Sequence, residues 1–227
     1  MRFLALFLIV LLPEIACAGA WPRAQGETFV LVSHDFDDWT SVYVEHGGPR
    51  NLTFGLDLGG HVVAGMAALS RNNLEELEID GRAIAFVRLP LPLGRDYAGP
   101  WRYALELGAG ADFDMDFDTG ETEPRARIGL SAGRGFETPL GGGWFNVDLR
   151  VEPGAGPTRV GIGAVAGIRP LKRLTTSLGV FIEDEEETFV TFAPNLAYEV
   201  PILGEAQFGF RLTDGDGRFV IGIGRTF

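Results

Sequence analysis

The sequence has a single cysteine, a single lysine and three histidines in 227 residues. One cysteine excludes an intrachain disulfide and any multi-thiol metal site. Lys172 is the only lysine, so nearly all of the 19 basic residues are arginine. The 31 acidic residues outnumber them and give a net charge of −12, which argues against a nucleic-acid partner. His34, His46 and His61 are the only candidates for a histidine base. No glycine-rich phosphate loop follows a strand and opens a helix, so nucleotide binding has no support. The longest apolar run near the start, FLALFLIVLL (3–12), is too short for a membrane helix of about 20 residues. No cofactor is implied.

That run reads instead as the core of a secretory signal. Met1-Arg2 is a short basic leader, and Ala16-Cys17-Ala18 is an A-x-A site, so cleavage is expected after Ala18. The domain reading is a signal peptide over 1–18 and one body over 19–227. A lipidated Cys17 is the rival, but Glu14 stands where an apolar residue is wanted. Cleavage after Ala18 removes the only cysteine.

Beyond residue 18 no segment carries a long amphipathic helical pattern. Period two recurs instead, in runs of about ten residues broken by Gly, Pro and Asp. Twelve strands are read: 27–35, 39–47, 51–61, 82–91, 100–112, 124–134, 143–151, 157–168, 173–183, 187–200, 204–213 and 217–227. In RARIGLSAGRG (125–135), Ala126, Ile128, Leu130 and Ala132 share one face, and Arg125, Arg127, Gly129, Ser131 and Gly133 share the other. WFNVDLRV (144–151) separates Phe145, Val147, Leu149 and Val151 from Asn146, Asp148 and Arg150 in the same way. A soluble sandwich also alternates, with its apolar face inward.

The connections separate the two readings. Alternate ones are acidic: HDFDDW (34–39), the long stretch 62–81, DFDMDFDTGETE (112–123), EDEEE (183–187) and TDGDG (213–217). Those between them include the short GGPR (47–50), RPLKR (169–173) and PILG (201–204). Charge segregated by connection parity is the mark of an up-and-down meander with two chemically different ends. Short turns at one end and longer loops at the other, with an even strand number, are the outer-membrane barrel pattern.

The chain thus resembles an outer-membrane β-barrel of Gram-negative bacteria. The signal peptide, the alternating strands, the unit VYVEHGGPRNLTFGLDLGG (42–60) and the ending RFVIGIGRTF carry the resemblance. It implies an all-β, transmembrane, up-and-down antiparallel barrel of about twelve strands, with ten as the alternative. It implies export to the cell outer membrane, contact with outer-membrane lipid and lipopolysaccharide, and assembly by the barrel-assembly machinery. Phe219, Ile221, Ile223 and Phe227 match the C-terminal insertion signal that this machinery reads. Arg225 departs from the pattern, and near the periplasmic interface it can snorkel. Trp39, Trp101, Tyr103, Trp144, Phe145, Tyr198, Phe208, Phe210 and Phe219 lie near strand ends and fit aromatic girdles.

On this reading Arg88, Arg102, Glu106, Arg125, Arg127, Asp148, Arg150, Arg159, Glu199 and Arg211 face the lumen. They form either a cationic constriction or a paired, filled interior. Inward Gly129, Gly133, Gly161, Gly163, Gly179 and Gly222 leave open space or ease strand curvature. The function expected is a narrow passive channel for small solutes. A closed barrel acting in the envelope through its acidic loops is the alternative, and a soluble periplasmic β-sandwich or lipocalin-like binder is the second. Asp112, Asp114, Asp116 and Asp118 offer hard oxygen ligands, and divalent cations are candidate partners at the acidic loops. EF-hand spacing fails because Phe117 stands where Gly is needed. No metal site and no catalytic residue is assigned, and the protein is not read as an enzyme: His61, Ser70 and Asn73 share one loop region without triad spacing, and Ser33 and His34 point to opposite strand faces.

Overall fold

The computed structural model describes residues 19–36, 39–61, 78–93, 101–116 and 120–227. The expected signal peptide, 1–18, lies outside them. Twelve strands follow in order: β1 (Thr28–Asp35), β2 (Trp39–Gly47), β3 (Thr53–His61), β4 (Glu78–Leu91), β5 (Trp101–Asp116), β6 (Gly120–Thr138), β7 (Gly141–Glu152), β8 (Arg159–Leu171), β9 (Leu174–Asp184), β10 (Thr188–Val200), β11 (Gly204–Thr213) and β12 (Asp216–Thr226). Each pairs antiparallel with its sequence neighbours, and β1 pairs with β12, so the sheet closes into a barrel. The closing seam runs from Phe29↔Thr226 to Asp35↔Val220. Reciprocal backbone bonds between Thr28 and Phe227 extend it, at 3.1 and 2.8 Å. Closure leaves no unpaired strand edge, the condition for a sheet in lipid.

The register divides every strand into two faces. Val32, Leu56, Leu107, Ile128, Leu130, Leu149, Ile162, Val180, Phe192, Phe208 and Ile221 point outward and are exposed. Glu45, Thr53, Asp57, Arg88, Glu106, Arg125, Arg127, Asn146 and Glu152 point inward and are buried. Among the described residues, eleven polar or charged residues are buried against seven hydrophobic ones. This inverts a soluble core, and it removes the β-sandwich reading. The barrel instead shows an apolar belt to its surroundings and a polar interior, the alternation of a barrel that stands in a bilayer.

The two ends differ. The turn end carries the described connections 48–52, 139–140, 172–173 and 201–203. The loop end is where β1 and β2, β3 and β4, β5 and β6, β7 and β8, β9 and β10, and β11 and β12 face their connections. At the loop end, Asp214 and Gly215 take φ of 50° and 101° in a two-residue hairpin turn. Asp-Gly suits such a turn because both central residues need positive φ.

Two expectations are corrected. First, 112–123 is not simply an acidic loop. β5 runs on to Asp116 and β6 begins at Gly120, with Asp112↔Glu123 and Asp114↔Glu121 in register. The acid run alternates with Phe113 and Thr122, so it still satisfies a strand period. Second, Trp39 and Trp144 are not girdle residues. Both face inward: Trp39 lies over Gly59, and Trp144 over Gly167. Trp101, Tyr103 and Phe145 do cluster on the outer face, with ring centroids 6.5 Å apart. Phe210 and Phe219 pair there too, at 5.2 Å. Arg225 also points outward, and its guanidinium lies 4.9 Å from the Phe227 ring centre.

Candidate functional site

The lumen is built unevenly. Its β2–β7 side is filled by a continuous ion-pair ladder. Glu45 is fully buried and accepts bonds from Tyr43 Oη at 2.7 Å, Arg23 Nε at 2.6 Å and Arg88 Nη1 at 2.5 Å. Arg88 Nη2 then reaches Glu106 at 2.8 Å. Arg127 lies 3.7 Å from Glu106, and donates to Asp57 at 2.8 Å and Glu152 at 2.6 Å. Arg82 and Arg150 end the ladder at 3.4 Å from Asp57 and 3.9 Å from Glu152. A second cluster at the loop end joins Arg125 and Arg159 to Asp112 and Glu185. Arginine suits this interior because its planar fork can serve two carboxylates at once. Removing one partner of such a buried pair leaves an uncompensated charge, at a cost of about 3–5 kcal/mol.

The segment 19–27 adds to the filling. It enters the turn end of the barrel as an irregular strap. The Ala20 amide donates to Asn146 Oδ1 on β7 at 3.2 Å. Trp21 lies over Gly133 on β6, where any side chain would collide with the indole. The Arg23 amide donates to Thr53 Oγ1 on β3 at 3.0 Å, and the Arg23 guanidinium lies 4.4 Å from the Phe29 ring centre. The backbone at Ala24 closes on Gly47, leaving no room for a Cβ. The strap therefore crosses the lumen from β6–β7 to β2–β3.

The remaining arc, β8–β12 with β1, is different. Its inward residues include Gly161, Ser177, Ala193, Asn195, Gly209, Gln207, Gly222 and Ser33, which are short or uncharged and partly solvent-accessible. Two cavities open in the lumen, one where β8 and β9 meet the ladder side and one along the arc itself. One, about 500 Å³, lies at the loop end between Trp39, Asp148, Arg150, Gly161, Phe181 and Glu183. The other, about 480 Å³, lies at the turn end between Phe29, Arg173, Thr175, Glu199, Glu205 and Gly224.

All ten residues read as lumenal fall on the inward face, and the structure does not bring them together as one group. Arg88, Glu106 and Arg127 belong to the ladder, with Arg150 at its fringe. Arg125 and Arg159 belong to the loop-end cluster. Asp148 accepts a bond from Ser131 at 2.5 Å and another from Asn146. Arg102 is exposed and donates to the Trp101 carbonyl at 3.3 Å. Glu199 lines the turn-end cavity. Arg211 sits across from Arg218 near the loop end. The buried guanidiniums carry carboxylates, so this side of the lumen is a paired interior and not a bare cationic ring.

Sequence reading missed Arg23, Tyr43, Glu45, Asp57 and Glu152. Parity could have found three of them: with Val42, Val44, Leu56 and Leu58 outward, Tyr43, Glu45 and Asp57 must face inward. Of the acidic run, Asp112 is held by Arg125 and Arg159, Asp114 is exposed on β5, the Asp116 side chain lies outside the described residues, and so does Asp118. Among the described residues no group of three or more His, Cys, Asp and Glu is arranged to hold a metal ion. His34 and His46 bond to Thr40 and Thr28, at 3.1 and 2.8 Å. His61 pairs with Asp80 at 3.0 Å; Ser70 and Asn73 lie outside the described residues. Phe219, Ile221, Ile223 and Phe227 form an exposed outward row on β12 and just beyond it.

No protein-family model and no curated protein matches the sequence. Solved structures do. The KdgM porin in complex with disordered oligogalacturonate superposes with a TM-score of 0.59 at 8% identity, over 88% of this chain and 99% of that one. An outer-membrane channel from Pseudomonas putida F1 superposes with a TM-score of 0.57 at 11% identity, over 94% and 100%. At such identities the likeness is one of fold: this chain has the closed barrel of outer-membrane porins and channels.

Proposed function

We propose that the protein is a narrow passive channel of the outer membrane for small hydrophilic solutes, with its water path along β8–β12. One observation carries this reading. The interior is split into a filled side, packed by the ion ladder and the strap, and an arc on which glycine, serine, alanine, asparagine and glutamine stand between the charged and aromatic residues, with a loop-end cavity where β8–β9 meet the ladder and a turn-end cavity along β8–β12. A barrel built only for rigidity would gain from filling that arc as well, since unfilled space forfeits packing contacts. In this arrangement the short turns face the periplasm and the acidic loops face outward. The oligogalacturonate of the KdgM complex is not carried over: the buried guanidiniums of the ladder and of the loop-end cluster, Arg88, Arg127 and Arg125, already hold carboxylates.

The ladder and the strap also favour a second reading, a closed barrel acting in the envelope through its acidic loops. Planar-bilayer recordings of the purified protein separate the two. Discrete conductance steps support the channel. A protein with carbonate-resistant membrane association and heat-modifiable gel mobility, yet electrically silent, supports the closed barrel.

A further inference from the structure

The loop-end cavity has a chemistry that passive passage alone does not require. At about 500 Å³ it falls within the usual range for small-molecule sites. Seven of its lining residues are acidic and three are arginine. The arginines are engaged: Arg82 by Asp57, Arg150 by Glu152, and Arg159 by Asp112 and Glu185. Three of the carboxylates are not paired with a cation: Asp184, which stands on the outward face of β9 and accepts from Thr188 Oγ1 at 2.5 Å, and the two inward ones, Asp148 and Glu183. Asp148 accepts hydrogen bonds only from neutral Ser131 and Asn146, and neither it nor Glu183 has a cationic partner within 4.0 Å among the described residues.

Asp148 and Glu183 face the lumen from strands two apart. Asp148 on β7 is in register with Gly163 on β8, and Glu183 on β9 is in register with Gly161 on β8. Gly161 leaves an open floor beside Glu183, whereas at Gly163 the Phe181 ring takes the place of a side chain. At Gly161 even an added Cβ would find nothing nearer than 4.0 Å. Strands two apart lie about 10 Å from each other, and the register positions of the two acids differ by two residues of β8, about 7 Å, so their backbones stand about 12 Å apart and the inward-pointing carboxylates can hold the two ends of a short ligand. Phe181 is seated over Gly163 and Gly179 and lines the same space, with Phe189 and Trp39. Aromatic faces attract cations, and fixed carboxylates bind ammonium or guanidinium groups by charge-assisted hydrogen bonds.

We infer that the loop-end cavity is a binding site for small organic cations, amines or guanidinium compounds with a short apolar body, held between Asp148 and Glu183. This deepens the channel reading and rests on it for its role in uptake. The binding itself can be tested separately. Calorimetric titration of the purified protein in detergent uses 1,4-diaminobutane as the probe, with succinate as the dianion and butane-1,4-diol as the neutral control. The diamine is expected to bind saturably, and the two controls are not. Asp148→Asn and Glu183→Gln should each weaken the diamine by about tenfold, the size of one charged hydrogen bond. Glu183 is exposed, so its variant folds even if Asp148→Asn does not. Succinate binding as tightly as the diamine, or an unchanged diamine affinity in Glu183→Gln and folded Asp148→Asn, overturns the site. Diamine binding to an electrically silent barrel upholds the site and refutes the channel. Conductance without diamine binding refutes the site alone.

Discussion

Releasing the N-terminal strap should widen the turn end of the lumen. Arg23→Ala is the perturbation. It removes the buried 2.6 Å bond to Glu45 and the guanidinium–ring contact with Phe29. Glu45 keeps Arg88 and Tyr43, so it is not orphaned. The charged hydrogen bond contributes about 1.5–3 kcal/mol and the ring contact about 0.5–2. A loss of about 3 kcal/mol shifts the docked-to-free ratio of the strap by about a hundredfold. The geometric consequence follows from strand number. Twelve strands about 4.8 Å apart and tilted about 40° give a backbone radius of about 12 Å. Inward side chains reduce this to a free radius of about 7 Å, roughly 150 Å² in section, and a strap one strand wide covers about half of it. Single-channel conductance should therefore rise, by up to about twofold where the turn end limits the current. Deleting residues 20–23 should give the full effect. Unchanged conductance in both variants would refute a strap that occludes the path.

Glu45→Gln should lower stability by about 3–5 kcal/mol, because Arg23 and Arg88 would then face a neutral group in a buried site; urea unfolding in lipid vesicles measures this. Gly161→Leu should fold at normal yield and lower the conductance, since its side chain enters open space. Gly55→Leu should instead lower the folded yield, because its side chain would overlap the Phe86 ring. Under a salt gradient the reversal potential should show cation preference, set by the acid excess of the loop-end cavity. That preference should fade as the screening length drops from about 10 Å in 0.1 M salt to about 3 Å in 1 M. Deleting Phe227 should reduce the amount of heat-modifiable barrel in the outer membrane, as it removes the last outward aromatic and the backbone pair with Thr28.

Much of the fold was legible because a barrel wall obeys period two, and lipid on one side and water on the other keep the period clean. The strand ends of β2, β9, β10 and β11 fall within a residue of the sequence reading. The β5–β6 pairing was harder. Above an apolar belt both faces can be polar, so Asp112 to Glu123 reads by charge as a loop. Trp39 and Trp144 were assigned by their position near strand ends, whereas their parity put them inside. The inward arginines followed from alternation, but their partners did not. Asp57 and Arg127 are 70 residues apart on β3 and β6, which do not pair with each other, so only the closed barrel brings them together. The strap has no periodicity at all, and nothing in WPRAQGE marks it as lumenal. The glycines had a third role beside space and curvature: several are seats for inward aromatic rings.

The measurement that tests the divided lumen most directly is single-cysteine accessibility. The only native cysteine is Cys17, so replacing it gives a thiol-free background. Cysteines at Ser177 and Gln207 sit on the open arc, and cysteines at Ile84 and Ala104, which are 0% and 3% exposed, sit on the filled side. A water-soluble methanethiosulfonate reagent, added during bilayer recording, should step the current down for Ser177→Cys and Gln207→Cys and leave Ile84→Cys and Ala104→Cys unaffected. Current block at Ile84→Cys or Ala104→Cys, with Ser177→Cys and Gln207→Cys silent, would contradict a path along β8–β12.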